Sequence, residues 1–330
     1  MLTREPGTLT LAAADQIRSR PGQAVLLYLT DRCPVGCAHC SVSALPRGHR
    51  PADAALLSRL VDGLCGLDRV RLVGISGGEP FGERRILDRV TARLAAAGKQ
   101  LVLYTSGNWG RDDGTAPDWT AAVLARAACV VLSTDSYHAE RVTDTRYRAA
   151  LRATASAGSW IAVQVLGSDE ETARAERLLA AALGPSWPDR AEIRPTPMLT
   201  RGRGARLRPG PPEWPGRSFG ACGLARSPVV RFDGRVTACC NEDVVTGHGP
   251  AALHAAARSQ RELHEVFAAL DGDRYLAAVA GAGPGALVRL PRYRELGERS
   301  FPGICSLCWA LLGSGADRDP AVQAIGLVTR

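Results

Sequence analysis

Two hydrophobic periods alternate along most of this chain, and that alternation limits what it can fold into. Short apolar runs rich in β-branched residues occur at 24–29, 69–76, 100–105, 129–134, 160–166 and 191–194. Between them lie longer stretches whose apolar residues return every three or four positions, the signature of an amphipathic helix. The first carries Ala54, Leu56, Leu57, Leu60, Val61 and Leu64; the others span 86–97, 119–128, 147–157 and 170–183. Strands alternating with helices imply an α/β fold with a parallel sheet. In such folds ligands sit outside the carboxyl ends of the strands. The polar motifs fall at that end: Asp31 to Cys40 after the first strand, Gly77-Gly78-Glu79-Pro80 after the second, Ser106-Gly107-Asn108 after the third, and Ser133 to His138 around the end of the fourth.

Asp31-Arg32-Cys33-Pro34-Val35-Gly36-Cys37-Ala38-His39-Cys40 sets three thiols at C-x3-C-x2-C. Pro34 and Gly36 argue against a helix and for a tight loop. Three thiolates on one loop can each bind a different iron of a [4Fe–4S] cube. The fourth iron is then open to a small molecule. A zinc site built from Cys33, Cys37, Cys40 and His39 uses the same donors. Gly77 and Gly78 let a backbone come close to a ligand.

These motifs, in this order along the strands, resemble the radical SAM enzymes. The resemblance implies a partial (β/α)6 TIM-like barrel with a [4Fe–4S] cluster on Cys33, Cys37 and Cys40. S-adenosylmethionine (SAM) would chelate the open iron. By the same resemblance Gly77, Gly78, Glu79 and Pro80 meet the amino group of SAM, and Ser106, Asn108, Ser133 and Asp135 line its carboxylate and ribose. A helix N-cap role competes for Asp135 and Ser136. His138 is expected as a surface or packing residue.

A second group of thiols follows a Pro/Gly-rich break at 200–215. Cys222, eleven residues, Gly234, four residues and Cys239 form one half, and Cys305-x2-Cys308 the other. Val229 to Phe232 and Val236 to Ala238 read as a hairpin turning at Asp233-Gly234. The group resembles an abbreviated SPASM ("twitch") domain, a small α+β unit with one auxiliary [4Fe–4S] cluster. Zinc with four cysteines fits the same spacing. The expected organisation is an extension over 1–24, the barrel core over 25–200, a linker over 201–219 and the auxiliary unit over 220–330. Cys240 is left over: a substitute ligand, a structural thiol, or a hydrogen-atom donor of the kind some epimerases in the family use. Cys65 and Cys129 read as core. Arg194, Arg201 and Arg203 flank the predicted mouth, either to hold an acidic group or as a solvated linker.

Eight of the ten cysteines fall in two groups, one early and one late, rather than being spread along a small chain, which argues for reduced thiols and a cytoplasmic setting. Net charge is +8, almost all of it Arg and dispersed, with no aromatic–basic stripe that would suit nucleic acid. No apolar run approaches the ~20 residues of a membrane helix. The resemblance implies an enzyme that takes one electron from a flavodoxin- or ferredoxin-type donor and cleaves SAM to a 5′-deoxyadenosyl radical. That radical takes a hydrogen atom from a natural-product substrate. With about 24 residues before the first strand, no leader-binding module is expected. The expected chemistry is therefore dehydrogenation or epimerisation of a sugar or aminocyclitol. Epimerisation or crosslinking of a ribosomally made peptide is the alternative. A non-catalytic iron–sulfur or zinc protein is a third.

Overall fold

The computed structural model describes residues 8–207, 210 and 212–329. Part of the 1–24 extension and of the proline-rich linker therefore lies outside the described residues. Six strands, β1 (Ala24–Tyr28), β2 (Leu72–Ser76), β3 (Gln100–Thr105), β4 (Cys129–Ser133), β5 (Trp160–Leu166) and β6 (Ala191–Thr196), pair in sequence order, every pair parallel. The connecting helices are α2 (Ala54–Cys65), α3 (Arg84–Ala96), α4 (Trp119–Leu124), then α5 (Ser136–Ala139) with α6 (Asp144–Ser156), and α7 (Asp169–Leu183). Each longer helix buries its apolar stripe on the sheet: α2 buries Leu56, Leu57, Leu60, Val61 and Leu64. Helix starts follow local capping. The Asp53 carboxylate accepts from the Leu56 amide, and the Ser168 hydroxyl from the Glu171 amide. Asp169, Glu170 and Glu171 then place negative charge on the positive end of the α7 dipole.

An additional helix precedes the sheet. α1 (Leu11–Arg18) starts on a Thr10 cap and packs Leu11 and Ala14 against Ala24, Leu72, Val102, Cys129, Val131 and Ala162. These residues alternate along their strands and share the face opposite to that covered by α2, α3 and α7, the inner face of an open barrel.

After β6 come β7 (Trp214–Pro215), β8 (Ala225–Arg231), β9 (Arg235–Cys239), β10 (His254–Ala256) and β11 (Ser300–Phe301). The hairpin expected near Asp233-Gly234 is β8–β9. Gly234 has φ +88°, and a Cβ there would stand 2.7 Å from the Ala257 carbonyl oxygen. β8 is hydrogen-bonded parallel to β1, with Leu26 opposite Val229. The sheet therefore runs β10-β9-β8-β1-β2-β3-β4-β5-β6 and crosses from the 25–200 segment into the hairpin. β7 and β11 form a separate antiparallel pair. A second apolar core, including Tyr275, Leu276, Val279, Leu287, Leu307 and Leu311, gathers the C-terminal helices.

Several boundaries differ from the sequence pattern. The helix expected over 119–128 ends at Leu124, because the Ala128 amide already donates to Leu101 of β3 at 3.0 Å. The helix expected around 253–270 begins only at Gln260. The Ser259 hydroxyl caps it there, and His254–Ala256 are drawn to the sheet edge against β9. None of the described helices is long and apolar enough to cross a membrane.

Candidate active site

The cysteine loop is held open by backbone contacts. The Asp31 amide donates to His49 O at 2.8 Å, and the Cys33 amide to Leu45 O at 2.9 Å. Arg203 donates to Cys37 O from Nε at 3.0 Å and Nη2 at 2.6 Å, and to Ala44 O from Nη1 at 2.9 Å. With its fork turned onto these carbonyls, Arg203 braces the cysteine loop rather than lying in a solvated linker. Its companions are likewise engaged: Arg201 with Glu242 at 3.0 Å and Arg194 with Asp15 at 2.9 Å.

Cys33, Cys37 and Cys40 line a cavity of about 540 Å³ at the carboxyl ends of the strands. Its walls also include Ser76, Gly77 and Gly78 after β2, Ser106 after β3, Ser133 and Asp135 after β4, Gln164 and Leu166 from β5, and Thr196 to Leu199 after β6. Gly77 and Gly78 pack on the loop backbone: a Cβ on Gly77 would lie 2.5 Å from Thr30 O, and one on Gly78 2.3 Å from Arg32 O. The glycine pair is thus demanded by the loop it braces as well as by any ligand.

Glu79 and Pro80 lie outside this wall. The Glu79 side chain is 2% exposed and turned under the end of β3. It accepts from Thr105 Oγ1 at 2.8 Å, the Ser106 amide at 2.8 Å, Ser106 Oγ at 2.5 Å and the Phe81 amide at 3.1 Å. Burial raises its pKa despite these four donors. Asn108 also lies away from the wall, with Oδ1 3.5 Å from Arg146 Nη1.

Asp135 caps α5 through the His138 amide at 2.9 Å. The same carboxylate takes His138 Nδ1 at 2.8 Å and His39 Nε2 at 3.3 Å. Burial alone would raise its pKa. The hydrogen bonds from His138 and His39 outweigh it and hold the group well below the usual carboxylate range. His138 lines the cavity rather than the outer surface. The Cys37 thiol lies in one cluster with the two histidine rings, their ligand atoms within 4.8 Å of one another.

Cys222, Cys239, Cys305 and Cys308 meet around a second, mostly apolar cavity. Asn241 Nδ2 lies 3.0 Å from Cys305 Sγ, and the Tyr275 hydroxyl donates to Cys308 Sγ at 3.2 Å. All ten cysteines are free. Burial pushes the Cys37, Cys239 and Cys308 thiols up to about 12. Neighbouring thiols add to the shift, which a bound cationic core would reverse. Three thiols around one cavity and four around the other fit the ligand sets of two [4Fe–4S] clusters.

Cys240 joins neither set. It lines a third cavity of about 210 Å³ on the inner face of the sheet, with Arg18 Nη2 3.9 Å from its sulfur. This chamber and the large cavity share Ser76, Tyr104 and Glu242 in their walls. Sequence reasoning missed Tyr104 and Arg18. The strand pattern could have found Tyr104, which alternates with Val102 on the inner face; an eight-residue helix before the first strand offered little for Arg18.

The half-barrel sets three thiols beside a glycine pair at its strand ends, a donor set that suits an iron–sulfur cluster. No family model matches the chain. It is 33% identical over 137 residues to GTP 3′,8-cyclase of Synechococcus elongatus, covering 38% of this chain and 39% of that one. It is 23% identical over 118 residues to the putative peptide biosynthesis protein YydG of Bacillus subtilis, covering 36% of this chain and 37% of that one. The chain thus matches less than two-fifths of the length of these curated relatives. Among solved structures, Streptococcus suis SuiB bound to S-adenosylmethionine superposes with a TM-score of 0.55 at 12% identity, covering 95% of this chain and 78% of SuiB. At that identity the likeness to SuiB shows a shared fold.

Proposed function

We propose that this chain is a radical SAM enzyme that inverts a carbon centre in a peptide substrate, with Cys240 as the hydrogen donor. The observation that carries the reading is the position of Cys240: apart from both sets of cluster thiols, in a chamber that shares its walls with the cavity beside Cys33, Cys37 and Cys40. In this reading Cys33, Cys37 and Cys40 hold one [4Fe–4S] cluster, and Cys222, Cys239, Cys305 and Cys308 hold another in an auxiliary unit over 220–330. When bound, the first cluster with SAM supplies a 5′-deoxyadenosyl radical that takes a hydrogen atom from a C–H bond, and the second supplies a one-electron relay.

The chain's own residues do the rest. Backbone groups at Gly77 and Gly78, with Ser106 and Ser133 in the same cavity wall, would meet the polar end of SAM. Asp135 holds His39 and His138 against the cysteine loop. Burial raises the Cys240 pKa although Arg18 opposes it, so the sulfur keeps its proton at neutral pH. Only the protonated thiol has a hydrogen atom to give. The S–H bond breaks as a C–H bond forms on the opposite face of the substrate carbon. The thiyl left behind regains its hydrogen as one electron from a flavodoxin- or ferredoxin-type donor and one proton from solvent. The name of the relative YydG supports a peptide substrate.

A second reading, dehydrogenation of a sugar or aminocyclitol, is favoured by the four-thiol cavity, where an electron acceptor would sit. Turnover in deuterium oxide separates the two. An epimerised product carries one solvent deuterium at the inverted carbon, and Cys240→Ala still consumes SAM but yields no such product. A product two hydrogens lighter, made equally by Cys240→Ala, would favour dehydrogenation instead.

A further inference from the structure

Arg18 closes α1 with its guanidinium in the wall of the 210 Å³ chamber, beside the Cys240 thiol. We propose that Arg18 is the binding site for a carboxylate of the substrate. The proposal rests on reading the barrel interior as the substrate chamber.

A guanidinium presents five N–H donors in a planar fork that matches a carboxylate bidentately. Among the described residues, the Arg18 fork meets one oxygen, Asp15 Oδ1 at 3.2 Å. The other Asp15 oxygen is taken by Arg194 Nη2 at 2.9 Å, so one carboxylate serves two guanidiniums. The acid in the chamber wall, Glu242, is held by Arg201 at 3.0 Å. Much of the remaining wall is apolar, including Leu26, Leu72 and Val102. An arginine with donors to spare in such a wall is matched by an incoming anion.

The inner-face location separates this from a helix-anchoring role. The Asp15–Arg18 pair is local to α1, and α1 is tied to β6 by Arg194 on Asp15 and by Glu192, which accepts from the Leu11 amide at 2.8 Å. The side chain is 35% exposed, and the space it faces adjoins the large cavity, with Ser76, Tyr104 and Glu242 in the walls of both. With Nη2 3.9 Å from Cys240 Sγ, a carboxylate held on Arg18 brings carbons within a few bonds of it up to the thiol. The site therefore selects which carbon receives the hydrogen.

Selective alkylation of Cys240 tests this without consuming SAM. Reconstituted holoenzyme, its cluster ligands protected, is treated anaerobically with iodoacetate or iodoacetamide, and Cys240 labelling is followed by mass spectrometry. The two reagents attack the same thiol and differ in a carboxylate. The ratio of iodoacetate to iodoacetamide rates should fall about tenfold in Arg18→Gln and be kept in Arg18→Lys. A change in thiol acidity moves both rates together and cancels in the ratio. An equal ratio in wild type and Arg18→Gln would overturn the proposal, as would a Cys240 that neither reagent reaches. Loss of SAM cleavage with the ratio behaving as expected would count against the radical chemistry and not against the carboxylate site.

Discussion

Arg231 Nη2 lies 3.0 and 2.9 Å from the two carboxylate oxygens of Asp31. Arg231 ends β8 and Asp31 opens the cysteine loop, so one buried contact clamps the hairpin that leads to Cys239 onto the loop that carries Cys33. The guanidinium is 1% exposed and lies over the rings of Tyr28 at 4.6 Å and Phe232 at 5.2 Å. The hairpin and the cysteine loop are thereby held against each other.

Breaking that clamp should be costly. Arg231→Met leaves Asp31 without its partner, and the loss should be about 3 kcal/mol. Guanidinium chloride unfolding should show a lower midpoint at unchanged slope. Asp31→Asn keeps an acceptor for Arg231 and should lose about half as much.

Glu79 predicts a second, local effect. Its carboxylate gathers Thr105, Ser106 and the Phe81 amide under the glycine pair. Glu79→Ala orphans those donors and should destabilise by about 2–3 kcal/mol. Ser106 would lose its fixed place in the cavity wall. Weaker SAM binding by the reconstituted variant, measured by calorimetry, is the expected companion result.

Asp135 gives a pH signature. A carboxyl held below its ordinary range contributes stability that is present above the unfolded value of about 4 and is lost as pH falls further. Wild type should exceed Asp135→Asn by about 2 kcal/mol at neutral pH. The gap should narrow as unfolding is measured from pH 5 down to pH 3.

The two thiol sets predict a metal count. Iron should be roughly eight per reconstituted chain, and about four after either Cys33/Cys37/Cys40 or Cys222/Cys239/Cys305/Cys308 are replaced by Ala. Zinc in either set would contradict this.

The parts of the fold that repeat were legible in the sequence. Strand–helix alternation located the six core strands, because buried parallel strands carry continuous apolar runs. It also put Cys33, Cys37, Cys40, Gly77, Gly78, Ser106, Ser133 and Asp135 at one edge, where they line a single cavity. What was not legible depends on which way a side chain turns in a loop. Glu79 turns beneath the cavity and Asn108 away from it, although both sit at strand ends. Arg203 is drawn in by the bare carbonyls of Cys37 and Ala44, which no periodicity announces. Cys240 follows Cys239, the last residue of β9, and the alternation of the strand turns the two side chains to opposite faces. Cys239 lines the four-thiol cavity while Cys240 lines the inner chamber.

The most direct test of the account is the yield of 5′-deoxyadenosine when anaerobically reconstituted protein is given dithionite and SAM. Wild type, Cys240→Ala and the Cys222/Cys239/Cys305/Cys308 variant should all form it, and the Cys33/Cys37/Cys40 variant should form none. A wild-type protein loaded with its full iron that yields no 5′-deoxyadenosine would contradict the account.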